Sequence, residues 1–364
     1  MSNLPSQLPR NLQEFAHAVS AYNSCLHLES TIQTDIDGMH DVNQSRRSMI
    51  YCRILGYFLI YAPSDQARRT IELEIVSCKN KRDALLELGE LYYGHFILAF
   101  RSNKGKTPTP SNLSSRASYD TIAEMTKDLL EEAPQNHSSA KKRALVRDGF
   151  RCPVTGRVDE DYVLKNHELY QKVTREKLRT AYTQCAHIIS EFISSGITEG
   201  SDKSQCAATV WAILKRFGYP TLLDELSGSK VHRLENVITM EFNLRQRFDN
   251  LRIWFTPTDH VNQYKLEARY PFLLTGYSPL VTFTTPDERN LPVPNPAYLA
   301  LHASCAKVAH LSGAAEYIDQ VFSDMEETRV LSADGASADV LEHAIFYASS
   351  RPFRSEEYLY PVMD

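Results

Sequence analysis

Glu235-Asn236-Val237-Ile238-Thr239-Met240, then Asn243-Leu244-Arg245-Gln246-Arg247-Phe248-Asp249, then Leu251-Arg252-Ile253-Trp254-Phe255, is the stretch that decides the fold class. The first and last pieces are short runs rich in β-branched and aromatic residues set among polar turns, and they read as strands. Between them Arg245 and Asp249 stand one helical turn apart. Short strands mixed with helices predict an α+β module.

Working outward, residues Asn11 to Phe100 carry apolar positions three and four apart, as in Leu55, Phe58, Leu59 and Leu85, Leu86, Leu88, Leu91, the spacing of packed amphipathic helices. Pro63 in Tyr61-Ala62-Pro63-Ser64-Asp65 breaks the pattern, and Ser64 or Asp65 is placed to cap a helix over Gln66–Ser77. Thr107-Pro108-Thr109-Pro110-Ser111 and Asn136-His137-Ser138-Ser139 are loop-like and enclose one predicted helix, about Tyr119–Glu132. Downstream, Pro292-Val293-Pro294-Asn295-Pro296 leads into a predicted helix over Ala297–His310, with further helical patterns at Ala314–Met325 and after Ser337. The chain therefore divides into a helical N-terminal region (1–100), a linker with one helix and no chemistry of its own (101–139), the α+β module (140–264) and a mostly helical C-terminal extension packed on that module (265–364).

The 364 residues are 43% hydrophobic and 23% charged, which is enough apolar material for a substantial core. Forty Lys plus Arg against 45 Asp plus Glu exclude a polybasic wrapper, so any nucleic-acid surface is local. Residues 138–256 do hold such a local excess, 19 basic against 14 acidic. The cations bunch at Lys141, Lys142, Arg143, Arg147, Arg151, Arg157 and again at Lys172, Arg175, Lys177, Arg179. Clusters of this kind suit phosphate contacts, and equally a solvated helix face. Seven Cys at 25, 52, 78, 152, 185, 206 and 305, with no CxxC, argue against a disulfide framework and point to a reducing compartment. The N-terminus lacks the order of a signal peptide, and the stretch Met49–Ala62 is short and contains Arg53. The expectation is an intracellular protein, in nucleus or cytoplasm, with no membrane partner.

Three pieces of the module stand in a telling order: Arg147-Asp148-Gly149-Phe150-Arg151-Cys152-Pro153-Val154-Thr155-Gly156, then Cys185-Ala186-His187-Ile188-Ile189, then Asn236-Val237-Ile238-Thr239-Met240 running into Leu244-Arg245-Gln246-Arg247-Phe248-Asp249. In these motifs the chain resembles the HNH nuclease domain in its fungal form, with an RDG-x-RC-x-x-TG opening, AHII, N-x-[IL]-T-[LM] and LHxxFD. Asp249-Asn250-Leu251-Arg252-Ile253-Trp254-Phe255 and Leu291 to Pro296 with Leu301-His302-Ala303 extend the likeness over about 140–340. The resemblance implies a ββα-metal core, a two-stranded ribbon and a helix, embedded in a mostly helical chain. It also implies metal-assisted hydrolysis of a phosphodiester, in DNA before RNA, with a histidine general base. By the same resemblance His187 is that base, at the end of a strand, and Asn236 braces the loop that orients it. The other reading of His187 is a buried, hydrogen-bonded core histidine.

The departures matter as much. Nine residues after Asn236 the family has a metal-binding histidine, and this chain has Arg245, which stays protonated and offers no lone pair. Before the base, many HNH enzymes have a metal-binding Asp where Ala186 stands. Oxygens of Glu241, Asn243 or Asp249 are near in sequence and would suit magnesium or manganese. The role of Asp249 can equally be a structural salt bridge. Alternatively Arg245 meets the phosphate itself with its bidentate guanidinium, making a degenerate module that binds nucleic acid without cleavage. Arg247, Arg147, Arg151 and Lys142 are then the further expected phosphate contacts. A third possibility is a structural remnant whose helical flanks mediate protein contacts. His232 is a candidate nitrogen ligand, or an exposed loop residue. Cys152 and Cys185 read as buried thiols with no structural zinc, and Trp211 and Trp254 as core.

Overall fold

Ser64 accepts a hydrogen bond from the Ala67 N–H at 3.0 Å and donates to the Phe217 carbonyl at 2.7 Å, so the expected helix cap also ties the N-terminal region to the module. The computed structural model describes residues 2–38, 42–101, 119–130, 136–190 and 202–327, and the pattern after Ser337 lies outside them. The chain begins with α1 (Ala16–Asp37), α2 (Val42–Tyr61), α3 (Asp65–Ser77) and α4 (Arg82–Tyr92), which passes through a π-helical turn at Tyr93–Ile97 into α5 (Leu98–Arg101). There follow α6 (Ile122–Leu130), α7 (His137–Arg147), β1 (Val158–Asp159), α8 (Glu160–Val163), α9 (His167–Glu176), β2 (Thr180–Ala181) and β3 (Thr183–His187). After α10 (Asp202–Arg216) and α11 (Leu222–Leu226) come β4 (Val237–Glu241), α12 (Phe242–Asp249), β5 (Ile253–Pro257), β6 (Gln263–Ala268), β7 (Leu280–Thr282), α13 (Pro296–Ser312) and α14 (Ala314–Glu327).

The class is α+β: mostly helix, with a parallel pair β1–β2, an antiparallel ribbon β3–β4 and an antiparallel sheet β5-β6-β7. The ribbon registers His187 opposite Val237 and Thr183 opposite Glu241, and α12 continues from β4 without a break. Strand alternation splits the ribbon between two hydrophobic clusters. Ala186, Ile238 and Met240 join the larger core with Leu244 and Phe248 of α12, the N-terminal helices and α13. Cys185 and Val237 join a smaller core with Ala144, Leu145 and Phe150.

Two regions depart from the sequence reading. Met125 and Leu129 of α6 are buried in the smaller core, and the Tyr119 backbone exchanges hydrogen bonds with Lys165 and His167 at 2.9 and 3.0 Å. Residues 119–130 thus belong to the module's core, although loop-like composition on either side reads as a connector. The C-terminal helix α13, capped by Asn295 with Pro296 behind it, is buried almost all round. It packs on both α2 and β5, so the first hundred residues and the last described ones share one core. Ser304 donates to the Tyr61 carbonyl at 2.6 Å, and the Ser2 N–H donates to the Leu311 carbonyl at 3.1 Å. No helix among the described residues is long and apolar enough to cross a membrane.

His302 of α13 stacks on Phe248 of α12, centroids 3.8 Å apart and planes 11° from parallel. Burial pushes its imidazole down to about 4 from the usual 6.5, against a smaller opposing pull from the Phe248 carbonyl. Between those values the unfolded chain binds a proton that the folded one refuses. The stabilisation is therefore complete above pH 6.5 and is lost as pH falls toward 4, at up to about 1.4 kcal/mol per pH unit. Urea midpoints measured across that interval are expected to fall more steeply for the wild type than for His302→Gln.

Candidate functional site

Asn236 sits just before β4, fully buried. Its side-chain oxygen accepts the Ile189 N–H at 2.9 Å, and its amide nitrogen donates to the carbonyls of Ile189 and Val231, each at 2.9 Å. Its own carbonyl takes the Ile188 N–H at 2.8 Å. One asparagine thus closes the exit from β3, immediately after His187, and also holds the turn Gly228–His232.

His187 ends β3 opposite Val237 with only 8% of its surface exposed, and two other imidazoles lie against it. Its Nε2 lies 3.1 Å from His232 Nδ1, and the His137 ring packs 5.5 Å away, centroid to centroid. His137 is the first residue of α7, placed there by a capping box in which Asn136 and Ser139 exchange hydrogen bonds at 2.9 and 3.1 Å. It hydrogen-bonds the Cys185 backbone, while its Nε2 is buried with no hydrogen-bond partner among the described residues. Burial, with His137, His232 and Arg245 nearby, holds the His187 imidazole well below its ordinary range. Burial and the Arg245 charge push His137 down to about 4. Both rings are therefore neutral at pH 7. A base held so far below neutrality is a weak proton acceptor, since general bases work best with pKa near the working pH.

Arg245 occupies the ground beside this cluster. Its Nε donates to Asp249 at 3.1 Å and its Nη1 to Gln184 on β3 at 2.7 Å, so it staples α12 to the ribbon. Burial pushes the Asp249 carboxyl up to about 6, against the pull of Arg245. Asp249 is thus committed to a cation already present. Asn243 lies on the exposed side of α12's first turn. Glu241 is buried and bonded to Arg157 at 2.9 Å. Among the described residues no group of three or more His, Cys, Asp or Glu is arranged to hold a metal ion. Among the described residues the oxygens expected to replace the family's ligands make a poor set for a divalent cation, because Asn243 is exposed and Asp249 and Glu241 are bonded to arginine. Cys152 and Cys185 are buried free thiols, the latter pushed up to about 12 by burial.

The expected phosphate contacts divide sharply. Arg147 is a correction: its side chain is wholly buried, bonded to Asp148 at 2.7 and 2.9 Å and to the carbonyls of Leu234, Val237 and Pro292, so it reaches no ligand. Arg247 donates to the Leu273 carbonyl at 2.6 Å and lies over the Tyr277 ring. Arg151 and Lys142 are half-buried near the module's surface, and Arg175, Lys177 and Arg179 are exposed or partly so. The sequence reading missed His137, whose neighbours look like loop, although Asn136 three residues before Ser139 is a legible cap. Of the two readings of His232, candidate nitrogen ligand or exposed loop residue, the second is corrected: the residue is partly buried and its ring lies against His187.

Compared with known proteins, the chain matches no family model, no curated protein and no solved structure at a significant level.

Replacing Asn236 by alanine removes the partners of one buried N–H and two buried carbonyls. Each orphaned group costs about 1–3 kcal/mol. Asn236→Ala is expected to lower stability by roughly 3 kcal/mol or more in urea denaturation, where a surface substitution changes little.

Proposed function

We propose that residues 119–268 form an HNH-like ββα module that binds nucleic acid, DNA in the first instance, through its phosphates and does not cleave it efficiently. The observation that carries this reading is Arg245, which stands where the resembling family has a metal-binding histidine and is held between Gln184 and Asp249. A guanidinium there keeps positive charge beside His187 and repels the divalent ion that hydrolysis would use. Ala186 supplies no ligand on the other side. The low basicity of His187 points the same way. The local basic excess of residues 138–256 supports binding, with Lys142 and Arg151 as phosphate contacts.

One observation favours the hydrolytic alternative: His187 is neutral and stands beside a loop braced by Asn236, the arrangement a general base needs. Two measurements separate the readings. Binding of labelled DNA, monitored by anisotropy between about 50 and 200 mM salt, is expected to weaken steeply with salt. Lys142→Ala with Arg151→Ala is expected to reduce the salt slope by about two. With plasmid DNA and magnesium or manganese, wild type and His187→Ala are expected to be equally inert. Nicking by the wild type that His187→Ala abolishes would restore the nuclease, and no binding even at low salt would remove nucleic acid as the ligand.

A further inference from the structure

The outer end of the β3–β4 ribbon, remote from His187, is built differently from the rest of the module. The Phe242 N–H donates to the Tyr182 carbonyl at 3.1 Å, one step beyond the Thr183–Glu241 pair, so these two aromatic residues stand opposite each other across the ribbon. Both are exposed, Tyr182 by 59% and Phe242 by 41%, whereas the strand aromatics Trp254, Phe255 and Tyr264 are buried. Lys177 and Arg179 lead directly into them, and Arg175 stands at the end of α9. Lys177 adopts φ 51° and ψ 41° at the C-cap of α9, a left-handed position that favours glycine. The Arg179 backbone is fixed by the Val158 N–H at 2.9 Å while its side chain is exposed.

Three acids of the elements that meet at this end are engaged or buried. Glu176 pairs with Arg175 at 3.1 Å, Glu241 with Arg157 at 2.9 Å, and Asp159 is buried, bonded to Thr183 and to the Tyr162 N–H. Glu160 and Asp161 lie in the first turn of α8. The exposed strip carries two cations, Lys177 and Arg179, beside two aromatic rings, which distinguishes it from an apolar docking face.

We infer that this end of the ribbon is a stacking site for unpaired bases, with Tyr182 and Phe242 as the platform and Lys177 and Arg179 as the phosphate contacts, so that the preferred partner is single-stranded nucleic acid. Only unpaired bases offer their faces to a ring, and such stacking tolerates any sequence. The inference rests on the nucleic-acid reading above and narrows it to the class of strand.

The test is anisotropy with a labelled mixed-sequence DNA strand and its matching duplex, using the full chain. The wild type is expected to prefer the single strand. Tyr182→Ala and Phe242→Ala are each expected to weaken single-strand binding on the order of tenfold, leaving duplex affinity unchanged. Tyr182→Phe keeps a ring and is expected to bind as the wild type does, which separates stacking from a folding defect. Independently of any variant, ultraviolet crosslinking of a bromouracil-substituted strand to the wild type is expected to label peptides containing Tyr182 or Phe242. Equal affinity for strand and duplex, unchanged binding by both alanine variants, or crosslinks confined elsewhere would overturn the platform while leaving nucleic-acid binding standing. Absence of binding to both forms would instead remove the reading on which it rests.

Discussion

The module hangs on one buried arginine. Arg147, at the last turn of α7, is neutralised by the carboxylate of the very next residue and spends its remaining donors on the carbonyls of Leu234, Val237 and Pro292. Asp148 also accepts the Thr239 N–H at 3.2 Å. This pair fixes β4 and the segment before α13 to α7 at once. A charge so deeply buried is tolerable only while every partner is present, because removing one side of such a pair typically costs about 3–5 kcal/mol. The position of β4 in turn fixes Asn236, and Asn236 fixes the backbone of Ile188 and Ile189 next to His187.

That dependence explains how a histidine cluster forms in the middle of the molecule. The α7 helix brings His137 down on the face of β3 that carries Cys185 and His187, and the turn held by Asn236 brings His232 from the other side. Burial first, and the Arg245 charge and neighbouring rings after it, keep protons off His137 and His187, so the site is hostile to added positive charge even though it is rich in nitrogen.

What the sequence made legible was local. The Ser64 cap, the helix after Pro296, the strand after Asn236, and Arg245 and Asp249 one turn apart were readable because each depends on neighbours in the chain. The parallel β1–β2 pair was not, being two residues on each side with no period to detect. Arg147 looked like a phosphate ligand because composition cannot distinguish a solvated cation from one whose acceptors arrive from residues 234, 237 and 292. His137 looked like loop for the same reason: its importance comes from a strand fifty residues away.

The packing of α13 against α2, with Ser304 reaching the Tyr61 carbonyl and Ser2 the Leu311 carbonyl, has a consequence for biosynthesis. While the chain is emerging from the ribosome, α1, α2, α3 and α4 can pack on one another, but the face of α2 that α13 covers has no partner until residue 312 is clear of the exit tunnel. That face stays open to chaperones for most of translation, and contacts this distant in sequence make the final closure slow.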